Sequence, residues 1–262
     1  MQFLCVASGS KGNCYYVDDG RDAVLIDCGI SAKRLETALA GFGGTPERLR
    51  GIFVTHEHRD HISGVGVLLR RYHLPLWGSA ATLRAMDERI IGRVDEDLFH
   101  ALPYEGADVG DFHIHATGVS HDAADPVSYE VHWHGRKLSM LTDSGFVSDA
   151  NLSALSDSDL IVVEANHDPD LLRDGPYPAA LKRRIHGDRG HLSNADCGRA
   201  LNEIMSGRTH HVILAHLSET NNNPQLAYHT VRTCLDKAGG LPDSTHLWVA
   251  SQREPLALRI DE

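Results

Sequence analysis

Residues 54–64 read VTHEHRDHISG. His56, His58, Asp60 and His61 stand within six positions, directly after the apolar run GIFVT. A strand that ends here hands its chain to a loop, and a loop can converge these side chains. His56 and His58 suit one metal ion, and Asp60 and His61 point to a second. A metal ion takes at least three protein ligands, and a catalytic one keeps a position open for water. Four donors cannot complete two such sites, so further ligands are expected elsewhere.

Later apolar runs supply them. GVSHDAADP offers His121, LTDSG offers Asp143, and LAHLSETNN offers His216. The expected sets are His56, His58, His121 and Asp143 for one metal, and Asp60, His61, Asp143 and His216 for the other. Asp143 is then a bridging carboxylate. Mixed imidazole and carboxylate donors suit zinc, manganese or iron.

The whole chain agrees with this reading. It has 262 residues, 42% hydrophobic and 23% charged, ordinary for a globular protein. The net charge of −11 argues against a general basic coat for nucleic acid. Two divalent cations at the site would still leave it locally positive. The 18 histidines are the compositional outlier, and histidine is the commonest metal ligand near neutral pH. Cys5, Cys14, Cys28, Cys197 and Cys234 lack paired spacing and are expected as buried free thiols. No apolar run nears the roughly 20 residues of a membrane span. The start, MQFLCVASGS, shows no signal-peptide pattern, so a cytoplasmic chain without a membrane partner is expected.

Strands and helices alternate in both halves, which predicts a layered α/β sandwich. FLCVAS, CYYVDD and AVLIDCG read as strands. SAKRLETALAGF reads as a helix with Leu35, Ala38, Leu39 and Phe42 on one face, stopped by Gly43. HISGVGVLLRRYH and SAATLRAMDERI each read as one helix. FHIHATGVSH, PVSYEVHWHG, KLSMLTDSG and DLIVVEAN read as strands, and alternation turns His113, His115, His132 and His134 toward solvent. NADCGRALNEIM is expected as a helix capped by Asn194. HHVILAH, LWVAS and LALRI close the set of strands, with PQLAYHTVRTCLDKAG as the last helix.

The segment THEHRDHISG, with the later His121, Asp143 and His216, resembles the metallo-β-lactamase superfamily. The resemblance implies a four-layer αββα sandwich with a dinuclear metal site between two central sheets, as a single domain over residues 1–262. SGSKGNCYYV, LIDCGIS, TDSGFVSD, VVEANHD, GHLSNAD and LAHLSETNN together are similar to the YycJ/WalJ family. That similarity implies a stand-alone 5′→3′ exonuclease on single-stranded DNA, with DNA repair as its setting. EANHD and GHLSN also resemble segments of the tRNase Z core, in which a glutamate–histidine pair helps protonate the leaving group. By that match the role passes to Glu164 and His191. The chain departs from tRNase Z in having no long glycine-rich arm, and from β-CASP nucleases in having no large inserted domain.

Asp60, Glu164 and His191 are thus the expected catalytic residues. In-line attack on phosphorus expels an alkoxide, which needs a proton that His191, held by Glu164, is placed to give. Substrate contacts are expected from Ser10 and Asn13 in the SGSKGN loop. Arg184 and Arg189 belong to the basic stretch LKRRIHGDRGH, and Ser193 and Asn222 follow at the mouth of the site. A second reading keeps the same metals but takes a small substrate: a thioester, a lactone or a small cyclic phosphodiester.

Overall fold

A computed structural model describes residues 1–260. Two seven-stranded sheets form its centre. The first contains β1 (Gln2–Ala7), β2 (Cys14–Asp18), β3 (Ala23–Ile26), β4 (Leu49–Phe53), β5 (Leu76–Gly78) and β6 (Phe99–Ala101). The second contains β7 (Ala107–Val109), β8 (Phe112–Gly118), β9 (Val127–Trp133), β10 (Arg136–Leu141), β11 (Leu160–Glu164), β12 (His211–Ala215) and β13 (His246–Val249). The last strand, β14 (Leu256–Arg259), returns to the first sheet beside β1.

Each sheet is antiparallel along one part and parallel along the other. β3 to β6 run parallel, as do β10 to β13. Parallel neighbours need crossovers, and helices supply them. α1 (Ala32–Phe42), α2 (Arg59–Ile62), α3 (Val65–Tyr72), α4 (Ala80–Ala85) and α5 (Glu88–Ile91) serve the first sheet. α6 (Asp149–Leu155), α7 (Pro169–Asp174), α8 (Ala179–His186), α9 (Asn194–Ile204) and α10 (Pro224–Lys237) serve the second.

Three apolar clusters establish the layering. Phe3, Tyr15, Val24, Ile26 and Phe53 meet Phe112, Tyr129, Val131, Leu160 and Val162 between the sheets. Leu4, Val6, Leu25 and Ile52 face the helices of the first half. Ile161, Val163, Val212 and Leu214 face Cys197, Leu201 and Val231 in the second. Strand residues alternate between the two destinations, so each sheet is covered on both faces. The result is the expected αββα sandwich. Cys5, Cys14, Cys28 and Cys197 are buried free thiols, with Cys234 half-buried. No helix among the described residues is long and apolar enough to cross a membrane.

Several local expectations are corrected. The stretch after the metal loop is two helices, α2 and α3, because the chain turns at Gly64 against the 28–30 loop. Gly64 N–H donates to Cys28 O at 2.7 Å, and a Cβ on Gly64 would lie 1.9 Å from Ile30 O. SAATLRAMDERI also splits, since the Asp87 side chain caps a new turn by accepting from Arg89 N–H. The N-cap of α9 is Ser193 rather than Asn194. Phe42, expected on the buried stripe of α1, is 45% exposed at the helix end.

Candidate metal centre

Strand exits from both sheets build the site. β4 leads into His56 and His58, and the short α2 carries Asp60 and His61. His58 caps that turn, with His61 N–H donating to His58 O at 2.9 Å. Asp143 follows β10 and His216 follows β12, both in left-handed backbone with φ of 57° and 53°. Asp27, after β3, has φ of 55°. Such conformations cost on the order of 1 kcal/mol or more for non-glycine residues and cluster at functional sites.

The expected ligand atoms converge. His56, His58 and His121 form one group, and Asp60, His61 and His216 another. His56, His61 and Asp143 form a third that joins them, each group having its ligand atoms within 4.8 Å of one another. The rings of His56, His58 and His121 lie with centroids 4.5–5.1 Å apart. Asp143 Oδ2 is 3.3 Å from His61 Nε2, and its Oδ1 is 3.9 Å from His121 Nε2, so the carboxylate stands between the two halves.

The other ring atoms are tied down. His61 Nδ1 is 2.7 Å from Asp27 Oδ2, His121 Nδ1 donates to Gly190 O at 3.0 Å, and His216 Nδ1 is 2.8 Å from Glu164 Oε1. A proton on each Nδ1 leaves each Nε2 lone pair for a cation. His56 Nε2, His216 Nε2 and Asp143 Oδ2 are buried without a hydrogen-bond partner. Buried polar atoms rarely lack partners, and a divalent cation satisfies all three. Burial and the adjoining His61 push His56 well below its ordinary pKa, which keeps the ring a neutral donor of electrons. The residues present therefore fit divalent metal ions.

Glu164 is wholly buried and accepts from four donors. Oε1 takes His191 Nδ1 and His216 Nδ1, both at 2.8 Å. Oε2 takes the backbone N–H of Ser144 at 3.0 Å and of Leu192 at 3.1 Å. Burial alone raises a carboxyl pKa, but His191 and these hydrogen bonds reverse it and hold Glu164 well below the usual range. Burial likewise disfavours the charged His191 ring, and the Glu164 charge outweighs it, so the His191 pKa is raised. His191 Nδ1 lies 3.7 Å from Asp143 Oδ1, at the edge of the ligand set.

The residues expected to touch substrate divide into two sets. Ser10 is exposed, as are Arg184 and Arg189. Arg184 Nε donates to Asp122, and Arg189 donates to His121 O at 3.1 and 3.2 Å, so both are anchored to the 121–122 segment that carries one of the expected ligands. Asn13, Ser193 and Asn222 are buried, and their polar atoms are engaged internally. Asn13 Oδ1 accepts from Gly9 N–H at 2.9 Å, its Nδ2 donates to Gly9 O at 3.2 Å, and its backbone N–H donates to Asp60 O at 2.8 Å. Ser193 caps α9 in a reciprocal pair with Asp196. Asn222 donates to Ala165 O and to Asn194 Oδ1, at 2.9 and 2.8 Å. These three brace the site loops, and a substrate contact would have to break those bonds.

The model of the beta-lactamase superfamily domain matches residues 22–217. The chain is 40% identical over 242 residues to exodeoxyribonuclease YycJ of Bacillus anthracis, covering 91% of this chain and 90% of that one. It is 39% identical over 239 residues to exodeoxyribonuclease WalJ of Streptococcus pneumoniae, covering 90% and 89%. The chain belongs to the metallo-β-lactamase superfamily, in its YycJ/WalJ family. The fold of this YycJ/WalJ member is similar to that of the metallo-β-lactamase fold protein YhfI of Bacillus subtilis. The TM-score is 0.71 at 17% identity, with 98% of each chain covered.

Sequence reasoning passed over the buttresses of this YycJ/WalJ site. Asp27 stands in LIDCG at the end of an apolar run, the same signal that marks Asp143. Thr55 also went unassigned. Its N–H and Oγ1 donate to the two Asp27 oxygens, each at 2.8 Å, and its hydroxyl oxygen lies 3.0 Å from His56 Nδ1. The link from Glu164 to His216 was also unforeseen, since the residue pattern paired Glu164 with His191 alone.

Proposed function

We propose that this chain is a single-domain, metal-dependent phosphodiesterase that degrades single-stranded DNA from the 5′ end. The observation that carries this reading is the pair formed by the buried Glu164 and the half-buried His191, with Nδ1 2.8 Å from Oε1, at the rim of the ligand cluster. A thioesterase expels a thiolate, which needs little proton assistance, whereas an alkoxide leaving group needs a general acid. The names of the YycJ and WalJ relatives support the same substrate class.

In this reading His56, His58, His121 and Asp143 hold one divalent ion, and Asp60, His61, Asp143 and His216 hold the other. Zinc, manganese and iron all suit these donors. Bound metals supply positive charge for the phosphoryl transition state and ease ionisation of the attacking water. Glu164 keeps a proton on His191 Nδ1 and stabilises the imidazolium. His191 Nε2–H is then free to protonate the departing oxygen. Asp60, whose side chain is 26% exposed, accepts a hydrogen bond from the attacking water and orients it. Arg184, Arg189 and Ser10 hold phosphates of the incoming strand. A cytoplasmic setting in DNA repair belongs to the same proposal, and the five free cysteines accord with a reducing compartment.

Digestion of end-labelled single-stranded DNA with manganese, run beside Asp143→Asn, tests it. Short products from the 5′ end, lost in the variant, are expected. Intact DNA with every divalent metal tried overturns the reading.

A further inference from the structure

Phe42, Val67, Tyr104, Phe146 and Leu171 are the large apolar side chains exposed among the described residues. Phe146 alone lies on a loop that carries a metal-centre residue, three positions after Asp143, and it is 47% exposed. That loop is pinned on every side. Ser144 N–H donates to Glu164 Oε2 at 3.0 Å, and Ser144 Oγ donates to Phe146 O at 2.7 Å. Gly145 N–H donates to Ser120 O at 2.9 Å.

Gly145 also packs against the loop that leads to His191. A Cβ at Gly145 would lie 2.2 Å from the Asp188 backbone, so only glycine permits the approach. Ser120 Oγ closes the same junction by donating to Asp188 O at 2.7 Å. Phe146 and Arg189 are each one residue from this junction, and Arg189 is exposed. The joined backbones of Gly145 and Asp188 thus hold the exposed Phe146 and Arg189 beside each other, on the loops that follow Asp143 and precede His191. Single-stranded nucleic acid is bound by this combination, with bases on rings and phosphates on cations. Pre-ordering both groups lowers the entropy lost on binding.

We propose that Phe146 is the stacking platform for a base of the single-stranded DNA substrate, with Arg189 holding an adjoining phosphate. The inference rests on the exonuclease reading above and names the residue that makes the site favour a base-bearing strand. Loss of one base–aromatic stack lowers affinity by roughly tenfold or more.

The test compares wild type, Phe146→Ala and Phe146→Trp with manganese, after melting curves show all three folded. The substrates are an oligothymidylate and the same strand with abasic residues along both ends. Each is read as kcat/KM and as a competitive inhibition constant, the latter serving where a strand binds without being cut. Phe146→Ala should lose about tenfold on oligothymidylate and nothing on the abasic strand, and Phe146→Trp should retain wild-type preference. Equal loss on both strands, or no loss on either, overturns the stacking role while leaving the exonuclease reading intact. If the wild type cuts neither strand with any divalent metal tried, the exonuclease reading falls and the inference falls with it.

Discussion

Asp27 Oδ2 lies 2.7 Å from His61 Nδ1, and both side chains are wholly inaccessible to solvent. The carboxylate fixes the tautomer and the ring plane of His61, and so the direction of Nε2. Partners of this kind are worth about 10- to 100-fold in metal affinity. Asp27→Asn preserves the shape but changes the acceptor. On the proposed two-metal centre, it should weaken binding of the metal held by His61 by about that factor while leaving the other metal bound. Metal content after dialysis against graded chelator measures this, and unchanged stoichiometry and affinity would remove Asp27 from the metal site.

His191 and Glu164 predict a dependence on leaving group. If His191 Nε2–H protonates the departing oxygen, His191→Ala should slow hydrolysis of an alkyl-leaving phosphodiester by about 10²–10⁴-fold. A nitrophenyl phosphodiester, whose leaving group needs no proton, should lose far less. Equal losses on both substrates would mean that His191 acts on something other than the leaving group. Glu164→Gln should follow the same pattern with smaller amplitude, plus loss of metal, because Oε1 also holds His216.

The converging donor side chains are legible in sequence because donors at the ends of apolar runs stand out from their surroundings. His56, Asp143 and His216 all follow strands that are buried on both faces. The buttresses are not legible for the same reason. LID and LTD present identical signals, and only the three-dimensional question of which oxygen keeps a free lone pair separates Asp27 from Asp143. Helix continuity also fails to show in the pattern at Gly64, since apolar periodicity carries no information about Ile30 O lying where a side chain would go. Ser193 and Asn222 are polar residues beside a site, and composition alone cannot tell a group facing substrate from one closing a backbone.

Ser193 gives a direct test of that distinction. Its hydroxyl accepts from Asp196 N–H at 3.1 Å and caps α9. Ser193→Ala should destabilise the protein by about 1 kcal/mol, a fall of about 2 °C in melting temperature for a chain of this size. The KM for single-stranded DNA should stay within twofold of wild type. A rise in KM at unchanged stability would return Ser193 to the substrate surface.

Acid stability should depend on Glu130, on β9. Burial would raise its pKa, but His132 and Lys137, whose Nζ lies 2.9 Å away, together with His115 pull it from the ordinary 4.5 to about 2. A carboxyl depressed in the folded state binds its proton more readily when unfolded. Its stabilising contribution is complete above pH 4.5 and is lost as the pH falls toward about 2. Glu130→Gln removes that contribution at every pH. The gap in melting temperature between wild type and variant should therefore be widest near neutrality and shrink steadily below pH 4.5. A gap that stays constant across this window would show that the substitution acts through packing and not through the ionised carboxylate.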